Sequence, residues 1–208
     1  GYTCALTTSG GVKCWGFNLF MSVGVNGDMY VQATPVDVVG LASGVTSISS
    51  SGSRESFDTS GGHSCALLQT GALRCWGNGG QGQLGRGLTG DSGVPFDVLG
   101  LSSGITAVAS GGDHSCALTV SGGVKCWGNS SFGELGVGSS ASRGDAAGEM
   151  GDNLPAASLG TGRTAAAISA NGAQTCALLD NVTVKCWGQN AFGELGQGDD
   201  ANRGFAPG

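Results

Sequence analysis

Four copies of one short pattern contain every cysteine and every tryptophan in this chain. Each copy holds two cysteines ten positions apart, and the second cysteine is followed directly by Trp-Gly. The eight cysteines and four tryptophans of the 208-residue sequence all fall in these copies. The cysteine pairs are Cys4 and Cys14, Cys65 and Cys75, Cys116 and Cys126, and Cys176 and Cys186. A pattern that recurs in this way constrains the whole fold, because it marks a repeating structural unit.

The distance between the copies gives the length of that unit. The first cysteines are 61, 51 and 60 residues apart, so the minimal unit has 51 residues and two copies carry insertions. Each unit contains a Cys-Ala-Leu segment, a turn, the Cys-Trp-Gly segment, a glycine-rich loop, a proline-led apolar segment and a second apolar segment. Short apolar runs between Gly and Pro residues predict about four strands per unit. Four-stranded units at this period predict the blades of a β-propeller.

The combined motif resembles the RCC1 (regulator of chromosome condensation) repeat. The resemblance rests on residues 111–118 (Gly-Gly-Asp-His-Ser-Cys-Ala-Leu), 124–129 (Val-Lys-Cys-Trp-Gly-Asn) and 133–136 (Gly-Glu-Leu-Gly). It implies an all-β propeller, usually of about seven blades. We therefore expect residues 1–208 to form a propeller segment of a longer array, with repeats at about 1–61, 62–112, 113–172 and 173–208, the last one incomplete. The first copy departs most from the pattern, since 17–24 lacks the Gly-Gln-Leu-Gly turn.

Hairpin geometry predicts one disulfide in each copy. If two strands pair around a turn at Ser9, Cys4 lies directly opposite Cys14. Opposed residues at a non-hydrogen-bonded pair have Cα atoms about 4.5 Å apart, which is within disulfide range. The same register predicts the pairs Cys65–Cys75, Cys116–Cys126 and Cys176–Cys186. Because disulfides persist in oxidising compartments, they indicate a secreted or cell-surface protein, or a periplasmic one.

Zinc binding is the alternative use of these cysteines. His63 and His114 each stand two residues before a cysteine, but Tyr2 and Gln174 replace them in the other two copies. Structural zinc sites need four ligands, usually spaced two to four residues apart. We therefore predict no metal and no cofactor, and we expect the histidines to make structural hydrogen bonds. The tryptophans are predicted to pack between blades, because a large ring buries much apolar surface.

Two further sequence signals fit a secreted chain. Asn129-Ser-Ser and Asn181-Val-Thr match the N-glycosylation pattern, and Asn181 lies at a predicted hairpin tip. Chance occurrence is the alternative explanation of both patterns.

Residues 143–145 spell the Arg-Gly-Asp tripeptide that integrins bind. However, the fourth copy has Arg-Gly-Phe at the matching place, so a loop that requires glycine explains the tripeptide more simply.

Composition excludes several classes of function. The formal net charge is −6 and the nine basic residues are scattered singly, whereas nucleic-acid binders carry a basic face. No apolar run approaches the 18 or so residues of a membrane span. The chain has two histidines, and no Ser/His/Asp or Cys/His set recurs near a plausible base. We therefore predict no nucleic-acid partner, no membrane span and no enzymatic activity.

These observations favour an extracellular structural or interaction module. In this interpretation, disulfide-closed blades present loops to a protein or glycan at the cell surface, and other blades of the parent chain or of a neighbouring subunit cover the ends of the segment. The candidate contact loops are 24–30, 51–58 and 139–153, which differ between copies. The resemblance implies two alternatives. One is guanine-nucleotide exchange on a small GTPase, which the cysteines and the acidic charge oppose; the other is a secreted enzyme inhibitor, which requires a complete ring.

Overall fold

The computed structural model describes residues 1–25, 30–52 and 62–206, and within them the chain forms thirteen strands. The strands are β1 (Tyr2–Leu6), β2 (Val12–Phe17), β3 (Val31–Asp37), β4 (Val45–Ser50), β5 (His63–Leu68), β6 (Leu73–Gly77), β7 (Ser92–Asp97), β8 (Ile105–Ser110), β9 (His114–Thr119), β10 (Val124–Gly128), β11 (Ala165–Asn171), β12 (Gln174–Leu179) and β13 (Val184–Gly188). A 3-10 helix at Gly151–Asn153 is the one helix in these three ranges. No helix there is long and apolar enough to cross a bilayer.

The strands form four antiparallel sheets, which are the blades. Their orders are β1-β2-β3, β4-β5-β6-β7, β8-β9-β10 and β11-β12-β13. Strands β4, β8 and β11 lie next to one another, and the Ser110 N–H on β8 donates to Ser49 Oγ on β4 at 2.9 Å. The predicted all-β architecture is confirmed, but only the second sheet has the predicted four strands and the other three sheets have three each within the described residues. In the second, third and fourth sheets, the strand that precedes the cysteine hairpin (β4, β8 or β11) belongs to the same sheet as that hairpin. The sheets are therefore offset along the sequence from the predicted repeats. The boundaries of the repeats stay a prediction.

One predicted strand is almost absent from the third blade. The segment 155–159 pairs with β10 only through the isolated bridge between Lys125 and Ala156. In the second blade, β7 begins three residues before Pro95, but the matching residues of the third blade form the 3-10 helix. Lys125 Nζ donates to the carbonyl oxygen of Gly151 in that helix, at 2.8 Å. The pairing of segment 155–159 with β10 is therefore limited to the one bridge between Lys125 and Ala156.

The apolar core of this protein lies between the blades. Three clusters of buried residues follow one another, and each contains disulfide cysteines of one blade and the tryptophan of the next. The cysteine and tryptophan residues so combined are Cys14 with Trp76, Cys65 and Cys75 with Trp127, and Cys116 and Cys126 with Trp187. Burial of apolar surface is the main favourable term in folding, so the blades stabilise one another.

Candidate interaction surface

The structure contains the four disulfides that the hairpin register predicts. In every copy the two cysteines are directly opposed, with Cα atoms 4.1 Å apart. Cys65, Cys75, Cys116 and Cys126 are fully buried, whereas both cysteines of the fourth blade are half-buried. Closing a loop of ten residues stabilises a hairpin by about 3 kcal/mol through the lost entropy of the unfolded chain.

Each buried tryptophan binds the blade before it. Its indole N–H donates to a main-chain carbonyl in the glycine loop of the preceding blade, which confirms that these three rings lie between blades. The pairs are Trp76 with Ser22 O (3.0 Å), Trp127 with Gln83 O (2.9 Å) and Trp187 with Glu134 O (2.7 Å). Trp15 of the first blade is half-buried. The glycine loop is thus the acceptor of a contact that recurs three times along the chain.

The last glycine of this loop is required by the same contact. Gly85 has a φ of +67°, and a Cβ on it would lie 2.9 Å from Trp127 Nε1. Gly24 and Gly136 stand equally close to the tryptophans that follow them. The first copy lacks the Gly-Gln-Leu-Gly turn in sequence, yet its Ser22 carbonyl and Gly24 make the same contact. The interpretation of this copy as the most divergent one therefore holds for its sequence but not for this contact.

A second chain of hydrogen bonds links the blades. The first partner is the residue two positions before the first cysteine of a blade. The second partner is a hydroxyl group of the next blade, on the residue directly before that blade's first cysteine. The pairs are Tyr2 with Ser64 (2.8 Å), His63 with Ser115 (2.7 Å) and His114 with Thr175 (2.8 Å). The sequence predicted structural hydrogen bonds for the histidines but not their partners. A signal was present, because Thr3, Ser64, Ser115 and Thr175 place a hydroxyl at this position in all four copies.

The direction of these bonds fixes where the histidine proton lies. Ser115 Oγ donates to the carbonyl of Gln83 at 3.0 Å, so it accepts from His63 and His63 Nε2 carries the proton. Thr175 Oγ1 donates to the carbonyl of Glu134 at 2.9 Å, which gives His114 the same tautomer. Burial lowers the pKa of His63 to about 3 and that of His114 to about 4. Both rings are therefore neutral at neutral pH.

We expect acidification to destabilise this network. Between about pH 6.5 and pH 4 the histidines take up protons in the unfolded chain but not in the folded one, so the free energy of unfolding falls as the pH falls. Each histidine contributes up to about 1.4 kcal/mol per pH unit to this loss. The measurement is urea denaturation at a series of pH values. The control is His114→Gln, since Gln174 stands at the matching place in the fourth copy, and an unchanged pH slope in this variant would contradict the assignment.

An exposed apolar surface lies at the outer edge of the second blade. The blade-two patch consists of Arg86, Leu88, Phe96 and Leu99, of which the three apolar side chains are 43–50% exposed. The Arg86 guanidinium lies over the Phe96 ring, 5.1 Å from its centre. Aromatic and arginine side chains are enriched in protein interfaces. The patch is therefore a candidate contact surface that the sequence did not single out.

The predicted contact loop 139–153 is a folded part of the third blade. Met150 is buried in the core between the second and third blades. The Glu149 carboxylate accepts from the N–H groups of Gly144 (2.9 Å) and Ala146 (3.1 Å). Among the residues that the structure describes, no group of three His, Cys, Asp or Glu side chains could hold a metal ion. This loop is ordered by its own contacts and borders the blade-two patch, since Leu99 and the Ala146 carbonyl both lie near Gly87.

The Arg-Gly-Asp tripeptide is explained by a close approach of two loops. Gly144 has a φ of +84°, and a Cβ on it would lie 2.9 Å from the carbonyl oxygen of Gly82. Gly204 of the fourth copy also has a positive φ and approaches Gly133 in the same way. Both contacts support the requirement for glycine at this place in the repeat. Of the other predicted contact loops, residues 26–29 and 53–58 lie outside the described residues.

The repeats of this chain match a known family. Models of the regulator of chromosome condensation (RCC1) repeat match residues 56–83, 70–118 and 105–134. Residues 56–134 of this chain are RCC1 repeats. Among curated RCC1 relatives, the Ultraviolet-B receptor UVR8 of Arabidopsis thaliana is 28% identical over 205 residues, which cover 98% of this chain and 43% of the receptor.

Solved structures share the fold of these RCC1 repeats. Yeast RCC1 (Prp20), in a crystal structure with Kap60, matches with a TM-score of 0.74 and 20% identity over 99% of this chain and 46% of Prp20. The ectodomain of the receptor kinase CR4 from Physcomitrella patens matches with a TM-score of 0.52 and 25% identity over 92% of this chain and 40% of that ectodomain. This chain thus spans less than half the length of each of these relatives.

The two glycosylation patterns differ in their surroundings within the RCC1 repeats. Asn181 is exposed on the hairpin between β12 and β13, and its side-chain oxygen accepts from the Thr183 hydroxyl at 2.7 Å. Asn129 is half-buried, and its side-chain oxygen accepts from the Ser131 hydroxyl at 2.7 Å. Glycosylation of both residues stays a prediction, and Asn181 is the more accessible acceptor.

A cavity of about 410 Å³ lies beside β13 in the fourth blade. Its lining includes Val184, Trp187 and Phe205. In the third blade, Met150 packs at the corresponding side of Trp127, within the core of the protein. The cavity beside Trp187 therefore corresponds to the space that Met150 fills beside Trp127. We assign no ligand to this cavity.

Proposed function

We propose that this RCC1-repeat chain is an extracellular, non-enzymatic interaction module. The disulfide in each of the four blades carries the proposal, because such a framework persists in oxidising compartments and is rare in the reducing cytosol. The bridges close the hairpins that face neighbouring blades, so they stiffen the scaffold on which the outer loops are held. Binding residues are commonly found on loops that a rigid scaffold positions.

Two of the similar structures support this role. CR4 is described as a receptor-kinase ectodomain, and Prp20 is described in a complex with the protein Kap60. We propose a protein or glycan at the cell surface as the partner of the present chain. The blade-two patch and the adjoining part of loop 139–153 form the proposed contact surface, since they combine exposed apolar and arginine side chains on an ordered edge.

A cell-binding experiment tests this proposal. The fluorescently labelled chain is added to intact cells of its source, and binding is compared with that of the double variant Phe96→Asp/Leu99→Asp. We expect saturable binding that the double variant loses. The matched control is Val120→Asp/Val182→Asp, which places the same charges at two hairpin tips that are 78% and 83% exposed.

Two treatments of the cells distinguish the class of partner. Removal of surface proteins by protease should abolish binding to a protein, whereas glycosidase treatment should abolish binding to a glycan. No saturable binding, or equal loss in the patch and hairpin-tip variants, would contradict the proposed surface.

A further inference from the structure

The blade-two patch carries side chains that the fold of a blade does not require. The third blade keeps the contact between its glycine loop and the next tryptophan, just as the second blade does. Smaller side chains nevertheless stand in the third blade at three of the four patch positions: Val137 for Arg86, Ser139 for Leu88 and Ser158 for Leu99. A blade of this repeat thus packs without the arginine and the two leucines, so packing of the blade does not explain them.

The Arg86 guanidinium is held in one orientation. Its Nη2 group donates to the carbonyl oxygen of Gly90, and its central carbon lies over the Phe96 ring. Within the described residues, Nε is buried without a hydrogen-bond partner, and Nη1 has no partner either. A guanidinium that is fixed in this way loses little side-chain entropy when a partner binds it.

No carboxylate pairs with Arg86 within the described residues. The ion pairs there are formed by five other basic side chains: Lys13, Arg74, Arg143, Arg163 and Arg203. Partial burial lowers the pKa of Arg86, because the guanidinium has lost part of its water, and Asp91 opposes this effect without forming an ion pair. Two nearby carboxylates are engaged elsewhere, Asp97 by Arg74 at 2.8 Å and Glu149 by the main chain of its own loop. An incoming carboxylate therefore meets a charged donor without a counter-ion.

The surroundings of Arg86 limit the class of partner. The three apolar side chains of the patch are 43–50% exposed, and the exposed Ala146 borders them. Phosphorylated segments are bound by clusters of arginines, whereas the patch contains one. Acidic glycans surround their carboxylates with hydroxyl groups, to which three apolar side chains offer no hydrogen bond. An acidic protein side chain with an apolar neighbour fits both the arginine and the apolar surface around it.

We infer that the partner of the blade-two patch is a protein that presents an acidic side chain beside an apolar one. The carboxylate accepts from the Nη1 and Nη2 groups of Arg86, and the apolar side chain covers Leu88 and Leu99. This inference rests on the proposed function, since it names the chemistry of the partner at the same surface.

Selection of displayed peptides tests the inference with the purified chain. A random peptide library on phage is bound to the oxidised protein, and peptides are kept if the double variant Phe96→Asp/Leu99→Asp no longer binds them. We expect the kept peptides to share an Asp or Glu next to a Leu, Ile, Val or Phe. An absence of such peptides, or patch-dependent peptides without an acidic residue, would overturn the inference.

A double-mutant cycle shows whether Arg86 is the group that the acid contacts. Arg86→Gln should weaken the binding of a selected synthetic peptide about tenfold or more, as expected for loss of a hydrogen bond between charged groups. The same variant should have much less effect on the peptide in which the acidic residue is replaced by its amide. The matched control is Arg163→Gln, which removes the same charge from a side chain that is 40% exposed. It should bind like the unchanged chain, and circular dichroism checks that both variants are folded. Equal losses for the acidic and the amide peptide would contradict the contact.

The cell-binding experiment separates failure of this inference from failure of the proposed function. If Arg86→Gln binds cells like the unchanged chain while Phe96→Asp/Leu99→Asp does not, the surface is correct and the acidic partner is wrong. If the acidic peptides behave as expected but the chain does not bind cells, the cell-surface role is wrong and the inferred chemistry of the patch stands.

Discussion

Full reduction of the four disulfides should unfold this chain at neutral pH without denaturant. Each bridge closes a loop between cysteines ten residues apart, which contributes about 3 kcal/mol. Four such contributions amount to roughly 12 kcal/mol, and the net stability of a domain is about 5–15 kcal/mol. The measurement is circular dichroism after incubation with a thiol-free reductant, with alkylation and mass spectrometry to count the thiols.

Removal of single bridges provides the control. The double variants Cys116→Ala/Cys126→Ala and Cys176→Ala/Cys186→Ala should each fold and lose about 3 kcal/mol or more in urea denaturation. The loss should be larger in the third blade, because its cysteines are fully buried and those of the fourth blade are half-buried. A chain that keeps its native spectrum with eight free thiols would show that the bridges do not hold the fold.

Replacing Trp127 by alanine should be the most damaging single substitution outside the cysteines. Its side chain is fully buried in the core between the second and third blades, and its indole N–H donates to the Gln83 carbonyl. Loss of a buried tryptophan costs about 3–5 kcal/mol. The main-chain carbonyl also loses a donor, although the Ser115 hydroxyl still donates to it. The free energy of unfolding in urea measures the effect.

The chain supplies a matched control for this substitution. Trp15 occupies the same position of the repeat but is half-buried and has no blade before it in the described residues. Trp15→Ala should therefore cost much less than Trp127→Ala. Equal losses would mean that the tryptophans stabilise their own blades and not the contact between blades.

The local structure could be predicted from sequence because it depends on short spacing. Alternation of side chains along a strand, with a turn midway between Cys116 and Cys126, leaves one register in which the cysteines meet. The strand at 155–159 was predicted from its proline-led pattern, but the 3-10 helix before it limits pairing to one bridge. Here a local pattern was overridden by neighbouring residues.

Contacts between blades were less accessible to this reasoning. His63 and Ser115 are 52 residues apart. Their contact cannot be predicted from either residue until the offset between the sheets and the repeats is known. The blade-two patch was missed for the same reason, since Leu88 and Phe96 belong to different segments of one repeat. Placing the copies under one another shows the invariant hydroxyl, but the three-dimensional arrangement is needed to identify its partner.

The most direct test of an oxidised, disulfide-closed propeller is peptide mapping of the non-reduced protein isolated from its natural location. We expect four linked peptide pairs, one in each blade: Cys4–Cys14, Cys65–Cys75, Cys116–Cys126 and Cys176–Cys186. Free thiols at these positions, or links between cysteines of different repeats, would contradict both the hairpin pairing and the extracellular role that is proposed from it.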